Sequence, residues 1–336
     1  MTTRPAGALM AAEIAEQPAV LQRLLDDGAA EIATARVHIV RRAPRFVLFA
    51  ARGTSDHAAL YAKYLAEIGM GLPAGLASPS TMTVYGSRPD LSDVLFVAVS
   101  QSGGSPDLVD SLAAARSCGA LTVAVTNNPS SPLDAAAELS VYVHAGVERA
   151  VAATKTYTAE LLALRLLLIG DEGAAAVPDA AARTLASPAG TASAQRYRFA
   201  DRLITTARGY SYPTAREAAL KLMETSYVSA QAFSAADLLH GPLAMIDSGI
   251  PVVAVVSPGR GGAAMAAAME RLESTGADVL RVGPADGVPI AADGAPEDLL
   301  PVLEILPLQQ LAWRLALDRG TDPDQPRGLA KVTSTW

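Results

Sequence analysis

Apolar and polar positions fall into repeating blocks along this chain. Between Met10 and Leu25 the apolar residues Ile14, Val20, Leu21, Leu24 and Leu25 lie among Glu13, Glu16 and Arg23, the spacing of one helix face. Asp26-Asp27-Gly28 ends that helix, and a second is expected to run to about Arg42. Arg45 to Ala51 reads as the first strand, followed by Arg52-Gly53-Thr54-Ser55-Asp56 and a helix through Leu65. Ser78-Pro79-Ser80-Thr81 reads as a polar turn. Val94 to Val99 is a continuous apolar run, half of it β-branched, as expected of a strand buried on both faces. Two more strands are expected at Leu121–Thr126 and Leu139–Val143, then a long apolar helix from Val151 to Gly170 that begins Ala153-Thr154-Lys155-Thr156. Asp171 to Ala194 is Ala-rich and reads as a helical linker punctuated by Pro178 and Pro188.

The second half repeats the first. Ala51-Arg52-Gly53-Thr54-Ser55 has a counterpart in Ala207-Arg208-Gly209-Tyr210-Ser211, and Val97–Ser100 has one in Ala254–Ser257. The strand near Thr122 answers to one near Val279. A constant offset implies a duplicated α/β unit, and alternating strands and helices imply parallel sheets with helices on both faces.

The loop after Val99 carries the clearest chemistry. Ser100-Gln101-Ser102-Gly103-Gly104 leads to Ser105, placed to cap a helix with Pro106 at its first position and Asp107 in its first turn. At the carboxyl end of a parallel strand such a loop sits where ligands bind. Free N–H groups, a positive dipole end and short hydroxyls suit a phosphate. No Gly-Lys-Ser/Thr follows, so it is not a Walker loop, and the glycine spacing is not that of a dinucleotide fingerprint.

Glu217-Ala-Ala-Leu-Lys221-Leu-Met-Glu224 lies on an expected helix, where Lys221 and Glu224 share a face; an exposed ion pair is the plain alternative to a functional one. His240, followed by Gly-Pro, is expected in a turn. Val302 to Leu317 reads as the last long helix, and the tail from Asp324 to Lys331 returns to polar character and places one lysine near the end of the chain.

Composition narrows the class. Of 336 residues 50% are hydrophobic and 18% charged, which fits a compact α/β protein. A net charge of −7 argues against a general nucleic-acid or anionic-membrane surface. One cysteine, Cys118, excludes an intramolecular disulfide and a Cys-cluster metal site. No apolar run is long enough for a membrane span, and the N-terminus lacks a signal-peptide core, so a cytoplasmic protein is expected.

Together these residues resemble the sugar-isomerase (SIS) superfamily, and within it the isomerase half of glucosamine-6-phosphate synthase and stand-alone deaminase-like relatives. The resemblance rests on Glu16-Gln17-Pro18, Gly53-Thr54-Ser55, Ser100-Gln101-Ser102-Gly103, Ala153-Thr154-Lys155, Ala219-Leu220-Lys221-Leu222, Glu224, His240-Gly241-Pro242-Leu243 and Gln325-Pro326-Arg327, in order over nearly the whole length. It implies two tandem SIS domains, each with a five-stranded parallel sheet: N-terminal helices over 1–40, domains over 41–172 and 196–320, a linker over 173–195 and a tail over 321–336 folded across the site. It implies a homodimer with shared sites, no cofactor and no metal.

By the same resemblance, Gly53, Thr54, Ser55, Ser100, Gln101, Ser102, Ser105 and Ala153 would bind the phosphate and sugar. Glu224 would abstract the C2 proton and return it at C1. His240, from the partner subunit, would open the ring. Lys331 would meet the open-chain carbonyl, and Lys221 would stand close to the base. Arg52 stands where the synthase has Cys, as in deaminase-like relatives. Ala153, Met223, Ser229 and Gln231 replace a serine, a lysine, a histidine and a glutamate of the synthase pattern. Residue 2 is Thr and the first ~40 residues read as helical, so the synthase's glutaminase domain is not expected. Glucosamine-6-phosphate deamination to fructose 6-phosphate and ammonia is then the leading expectation. An N-acetylglucosamine-6-phosphate dehydratase, a fructosamine-6-phosphate deglycase and a non-catalytic sugar-phosphate sensor are the alternatives.

Overall fold

A computed structural model describes residues 4–283 and 287–331. In chain order the first elements are α1 (Ala8–Arg23), α2 (Ala29–Arg42), β1 (Phe46–Ala50), α3 (Thr54–Tyr64), β2 (Ala74–Leu76), α4 (Pro79–Thr83), β3 (Val94–Ser100), α5 (Pro106–Ser117), β4 (Leu121–Thr126), α6 (Pro132–Ala136), β5 (Leu139–Tyr142) and α7 (Lys155–Leu168). There follow α8 (Val177–Ala186), α9 (Ala189–Ser193), β6 (Arg202–Ala207), α10 (Tyr212–Ser226), β7 (Ser229–Ser234), α11 (Ala235–Leu239), β8 (Val252–Val255), α12 (Arg260–Ala263), α13 (Ala266–Ser274), β9 (Val279–Gly283), β10 (Val288–Pro289) and α14 (Leu300–Asp318). None of the described helices is long and apolar enough to cross a membrane.

The strands form two five-stranded sheets, all pairs parallel, ordered β2-β1-β3-β4-β5 and β10-β9-β8-β6-β7. Read from the other edge, the second order repeats the first strand for strand: β1 answers to β6, β3 to β8 and β4 to β9. Those are the pairs that the sequence offset picks out. In both sheets the chain steps to one side and then to the other, so the strand order reverses between β1 and β3 and between β6 and β8. That is where open parallel sheets place ligands, outside the carboxyl ends of the strands.

One compact unit holds the first sheet and consists of Ala19–Glu148, Lys155–Ala175 and the chain end from Ala330. Its centre is β3, whose residues Leu95 to Val99 are wholly buried between β1 and β4. Phe96, Leu108, Leu112 and Leu133 pack on one side. Along α7 every residue is buried, polar ones included. The other unit holds the second sheet and gathers the chain start to Pro18, Arg149–Thr154 and Ala176–Leu329. There Ile204, Leu238, Val252, Met265 and Leu272 form one side of the core.

Several expected boundaries move. The long helix starts at Lys155, not Val151, and ends at Leu168. Just before it, Arg149 and Ala150 donate their N–H groups to the carboxylate of Glu13. The expected single linker helix is broken: Pro178 sits in the first turn of α8 and Pro188 precedes α9. Ser78–Thr81 is not a plain turn but opens α4, with Pro79 at its first position. The edge strands β2, β7 and β10 have no apolar run to announce them. Of the expected terminal segments, residues 1–3 and 332–336 lie outside the described residues.

Candidate functional site

Within the first-sheet unit, the loops after β1, β3 and β4 converge at the point of strand reversal. Gly53 has φ 57° and lies open, since a Cβ there would meet nothing within 4 Å. Thr54 and Ser55 follow as the first residues of α3. Ser55 is buried, and its hydroxyl donates to Oε1 of Glu160 on α7 at 2.9 Å.

After β3 the hydroxyls fold the loop on itself. The Ser100 Oγ accepts from Gly103 N at 3.3 Å and the Ser102 Oγ from Gly104 N at 3.3 Å. Gly103 has φ 62°, and a Cβ there would fall 2.1 Å from the Ser131 Oγ. Only glycine fits that turn. Residues after β4 hold the loop from beneath: Asn127 N donates to Gln101 O, and the Asn128 side chain to Ser102 O at 3.1 Å. Pro106 starts α5 as expected. The Ser105 side chain, however, makes no capping bond, contrary to the cap expected of it. Arg52 pairs with the buried Asp107 at 2.8 Å, tying the loop after β1 to α5 and leaving a half-exposed guanidinium beside both loops.

Sequence reasoning missed Glu148. It lies between Val147 and Arg149, both exposed, yet its own side chain is wholly buried. Its Oε1 accepts from Thr156 N at 3.2 Å. Its Oε2 accepts from the Gln101 amide at 2.8 Å and lies 3.0 Å from Nζ of Lys331. Lys331 and Gln101, both singled out in the sequence, thus meet on one carboxylate that was not. A lone glutamate on an irregular segment gives no periodic or motif signal.

The second sheet carries the same architecture in a filled form. Ser211, the counterpart of Ser55, donates to Oε1 of Glu304 on α14 at 2.7 Å, as Ser55 does to Glu160. Thr214 donates to Oε2 of Glu304 at 3.0 Å. Burial pushes the Glu304 carboxyl above the ordinary glutamate range, although the hydroxyls of Ser257, Ser211 and Thr214 pull the other way. The loops after β6 and β8 are in contact, since a Cβ on Gly261 would lie 2.8 Å from Arg208 O. Glu297 fills the remaining space, accepting from Arg260 N at 3.0 Å and Gly261 N at 2.7 Å. An internal carboxylate thus occupies loop amides of the second sheet.

Also in the second-sheet unit, α10 presents Glu217, Lys221 and Glu224 on one face. Lys221 is wholly buried, 3.3 Å from Glu217 and 2.6 Å from Glu224. The pair is therefore not the exposed surface contact that the sequence left open. Burial alone would lower the Lys221 pKa, but the two carboxylates outweigh it and hold the ammonium above its ordinary range. Glu224 is the partly exposed end of the row. Met223 beside it is exposed. Tyr227 ends α10 with φ 54°; its hydroxyl accepts from Arg327 N at 2.9 Å, and the Arg327 guanidinium stacks on its ring. His240 is exposed at the end of α11, in the turn expected of it. Ala153 is half-buried in the segment that packs with this unit.

Two parallel sheets of one topology, the first with an open hydroxyl-rich loop at its strand reversal, define a duplicated α/β architecture. The chain belongs to the SIS domain family, whose profile matches residues 41–170 and 197–295. Relatives named glutamine–fructose-6-phosphate aminotransferase (isomerizing) include one from Gloeobacter violaceus, 34% identical over 96% of this chain, and one from Pyrobaculum aerophilum, 35% identical over 97%. The aligned regions cover 58% and 57% of those proteins, so the chain spans a little over half of their length. Among solved structures, a candidate phosphosugar isomerase from Silicibacter pomeroyi superposes with TM-score 0.84 at 34% identity, covering 94% of this chain and 99% of that one. The C-terminal domain of glucosamine-fructose-6-phosphate aminotransferase from Francisella tularensis gives 0.83 at 27%, covering 95% and 98%.

Proposed function

We propose that the protein acts on an amino-sugar 6-phosphate by ring opening and C2 proton abstraction, and that its reaction is deamination of glucosamine 6-phosphate. The observation that carries this reading is the row Glu217, Lys221, Glu224: a partly exposed carboxylate steadied by a buried ammonium 2.6 Å away. A fixed carboxylate with an adjoining cation suits proton removal beside a carbonyl. The names of the aminotransferase relatives and of the structural neighbours support the substrate class.

In this reading the loops after β1 and β3 hold the phosphate through backbone N–H groups and the hydroxyls of Thr54, Ser100, Ser102 and Ser105. Holding that remote end does no chemistry but places C1 and C2 for reaction. His240, exposed and supplied by a second copy of the chain, moves the proton between O5 and O1 as the ring opens. Glu224 removes H2 from the open-chain aldehyde, giving an enolamine. Return of the proton at C1 gives the 2-imine of fructose 6-phosphate, and water hydrolyses it to fructose 6-phosphate and ammonia. Lys331 meets the carbonyl as a polarising cation.

The test is incubation with glucosamine 6-phosphate and, separately, N-acetylglucosamine 6-phosphate, followed by ammonia assay and proton NMR. Ammonia and fructose 6-phosphate from the first are expected. A vinylic proton from the second without ammonia from the first would replace the deaminase with a dehydratase that expels the 3-hydroxyl. Phosphate-dependent binding with no turnover of either would make the protein a sensor.

A further inference from the structure

We propose that Glu148 is a positioning residue that docks the tail lysine, Lys331, at the loop after β3. The assignment of a role to Lys331 rests on the function proposed above; the docking itself rests on geometry within the first-sheet unit.

An isolated carboxylate with a wholly buried side chain costs several kcal/mol unless donors surround it. Donors reach Glu148 from at least three distant parts of the chain: the N–H of Thr156 in the first turn of α7, the Gln101 amide from the loop after β3, and the Lys331 ammonium from the C-terminal tail. Gln101 and Lys331 share one oxygen, Oε2. The carboxylate therefore couples the tail to the loop. Near the tail's end the apolar residues, Leu329 and Ala330, are exposed and bury little surface that could hold Lys331 in place. Arg327 is held on Tyr227, and for Lys331 itself, about a quarter exposed, the ion pair with Glu148 supplies the hold.

The consequence for the reaction is positional. Docked on Glu148, the ammonium stays beside Gln101, a loop residue, and is presented as a cation. Released, it samples solvent. Glu148 touches no reacting atom in this scheme and acts through Lys331.

The chain has only four lysines, Lys63, Lys155, Lys221 and Lys331, which makes chemical labelling decisive. Lys63 is about as exposed as Lys331, but its partner Glu67 is about a third exposed where Glu148 is wholly buried, so pulsed acetylation of the ligand-free protein, read by mass spectrometry, is expected to modify Lys331 several-fold more slowly than Lys63. Equal rates in the wild type would overturn the proposal whatever any variant does. In Glu148→Gln the Lys331 rate is expected to rise about tenfold, the size of one charge-assisted hydrogen bond, while the buried Lys155 and Lys221 stay unmodified and report that the fold is intact. An unchanged Lys331 rate with Lys155 and Lys221 still protected would also overturn it.

With glucosamine 6-phosphate, Glu148→Gln is expected to lower kcat about 10- to 100-fold while the affinity for inorganic phosphate stays within about threefold, and Glu148→Asp is expected to recover part of kcat. A parallel fall in phosphate affinity and kcat would mean a merely structural role. Labelling needs no substrate, so a wild type silent with glucosamine 6-phosphate would refute the proposed reaction and leave the docking result standing.

Discussion

The ammonium of Lys221 lies 2.6 Å from Oε2 of Glu224 and has no exposed surface of its own. Glu217, equally buried, stands on its other side at 3.3 Å. One cation thus compensates two carboxylates one helical turn apart in each direction. Removing it by Lys221→Met leaves buried negative charge uncompensated and is expected to cost about 3–5 kcal/mol, measured by urea unfolding at pH 7. The pH dependence has a definite sign. The Lys221 pKa is raised in the folded state, so its contribution is complete below the unfolded lysine value of about 10.4 and is lost as pH rises through the folded value. The gap between wild type and Lys221→Met should be flat from about pH 7 to 10 and narrow only above that. A gap that widens at high pH would contradict the ion-pair account.

Glu224 ends that row with part of its side chain exposed, the one member able to meet a substrate. Glu224→Gln keeps the shape and one acceptor while removing the base. Turnover of glucosamine 6-phosphate should fall by about 100- to 10,000-fold, with phosphate affinity and unfolding midpoint little changed. Solvent deuterium should no longer enter the sugar at C1 or C2. Continued exchange at C2 in this variant would move the base to another residue.

How far the chain could be read from its letters follows from burial. Strands β3, β4 and β8 are buried on both faces and β1 nearly so, with Phe46 and Leu48 half-covered; they appear as apolar runs, broken in β4 only by Thr122, and the loops after them were visible as breaks in those runs. The edge strand β7, Ser-Ala-Gln-Ala-Phe-Ser, is only half covered and has no such run. The duplication was legible because both copies keep strand, glycine loop and helix at one offset. The carboxylates that organise the loops were not: Glu148, Glu160, Glu297 and Glu304 each reach a loop from a distant part of the chain, and nothing local sets them apart from other glutamates. Glu160 and Glu304 even sit inside apolar helices, where the hydroxyl of Ser55 meets the first and those of Ser211 and Thr214 meet the second.

Gly103 is the tightest point of the loop after β3. Its φ of 62° is unfavourable for other residues, and an added methyl would overlap the Ser131 hydroxyl at 2.1 Å. Gly103→Ala is expected to cost about 1–3 kcal/mol and to weaken phosphate binding about tenfold or more by displacing the Ser100 and Ser102 hydroxyls, which the N–H groups of Gly103 and Gly104 hold in place. Calorimetric titration with inorganic phosphate and a thermal melt would measure the two effects separately. Unchanged phosphate affinity in a destabilised variant would show that this loop is not the anion site.

Glu304 offers the clearest pH test of the second sheet. Burial raises its pKa, and the proximity of Glu297 pushes in the same direction, while the hydroxyls of Ser257, Ser211 and Thr214 only partly offset them. For an acid whose folded pKa is raised, the protonated form is the one the fold prefers. Its stabilising contribution is present below the unfolded glutamate value of about 4.3 and is lost as pH rises through the folded value. Glu304→Gln stays neutral throughout, and its amide can still accept from one hydroxyl and donate to the other. The wild type should therefore hold its greatest advantage over Glu304→Gln in acid. That advantage should shrink by up to about 1.4 kcal/mol per pH unit across the interval between the two values and then level off. At pH 7 the variant is expected to be at least as stable as the wild type in chemical denaturation. A wild type that gains on the variant as pH rises would mean that Glu304 is held as a carboxylate, with the hydroxyls of Ser211 and Thr214 outweighing burial.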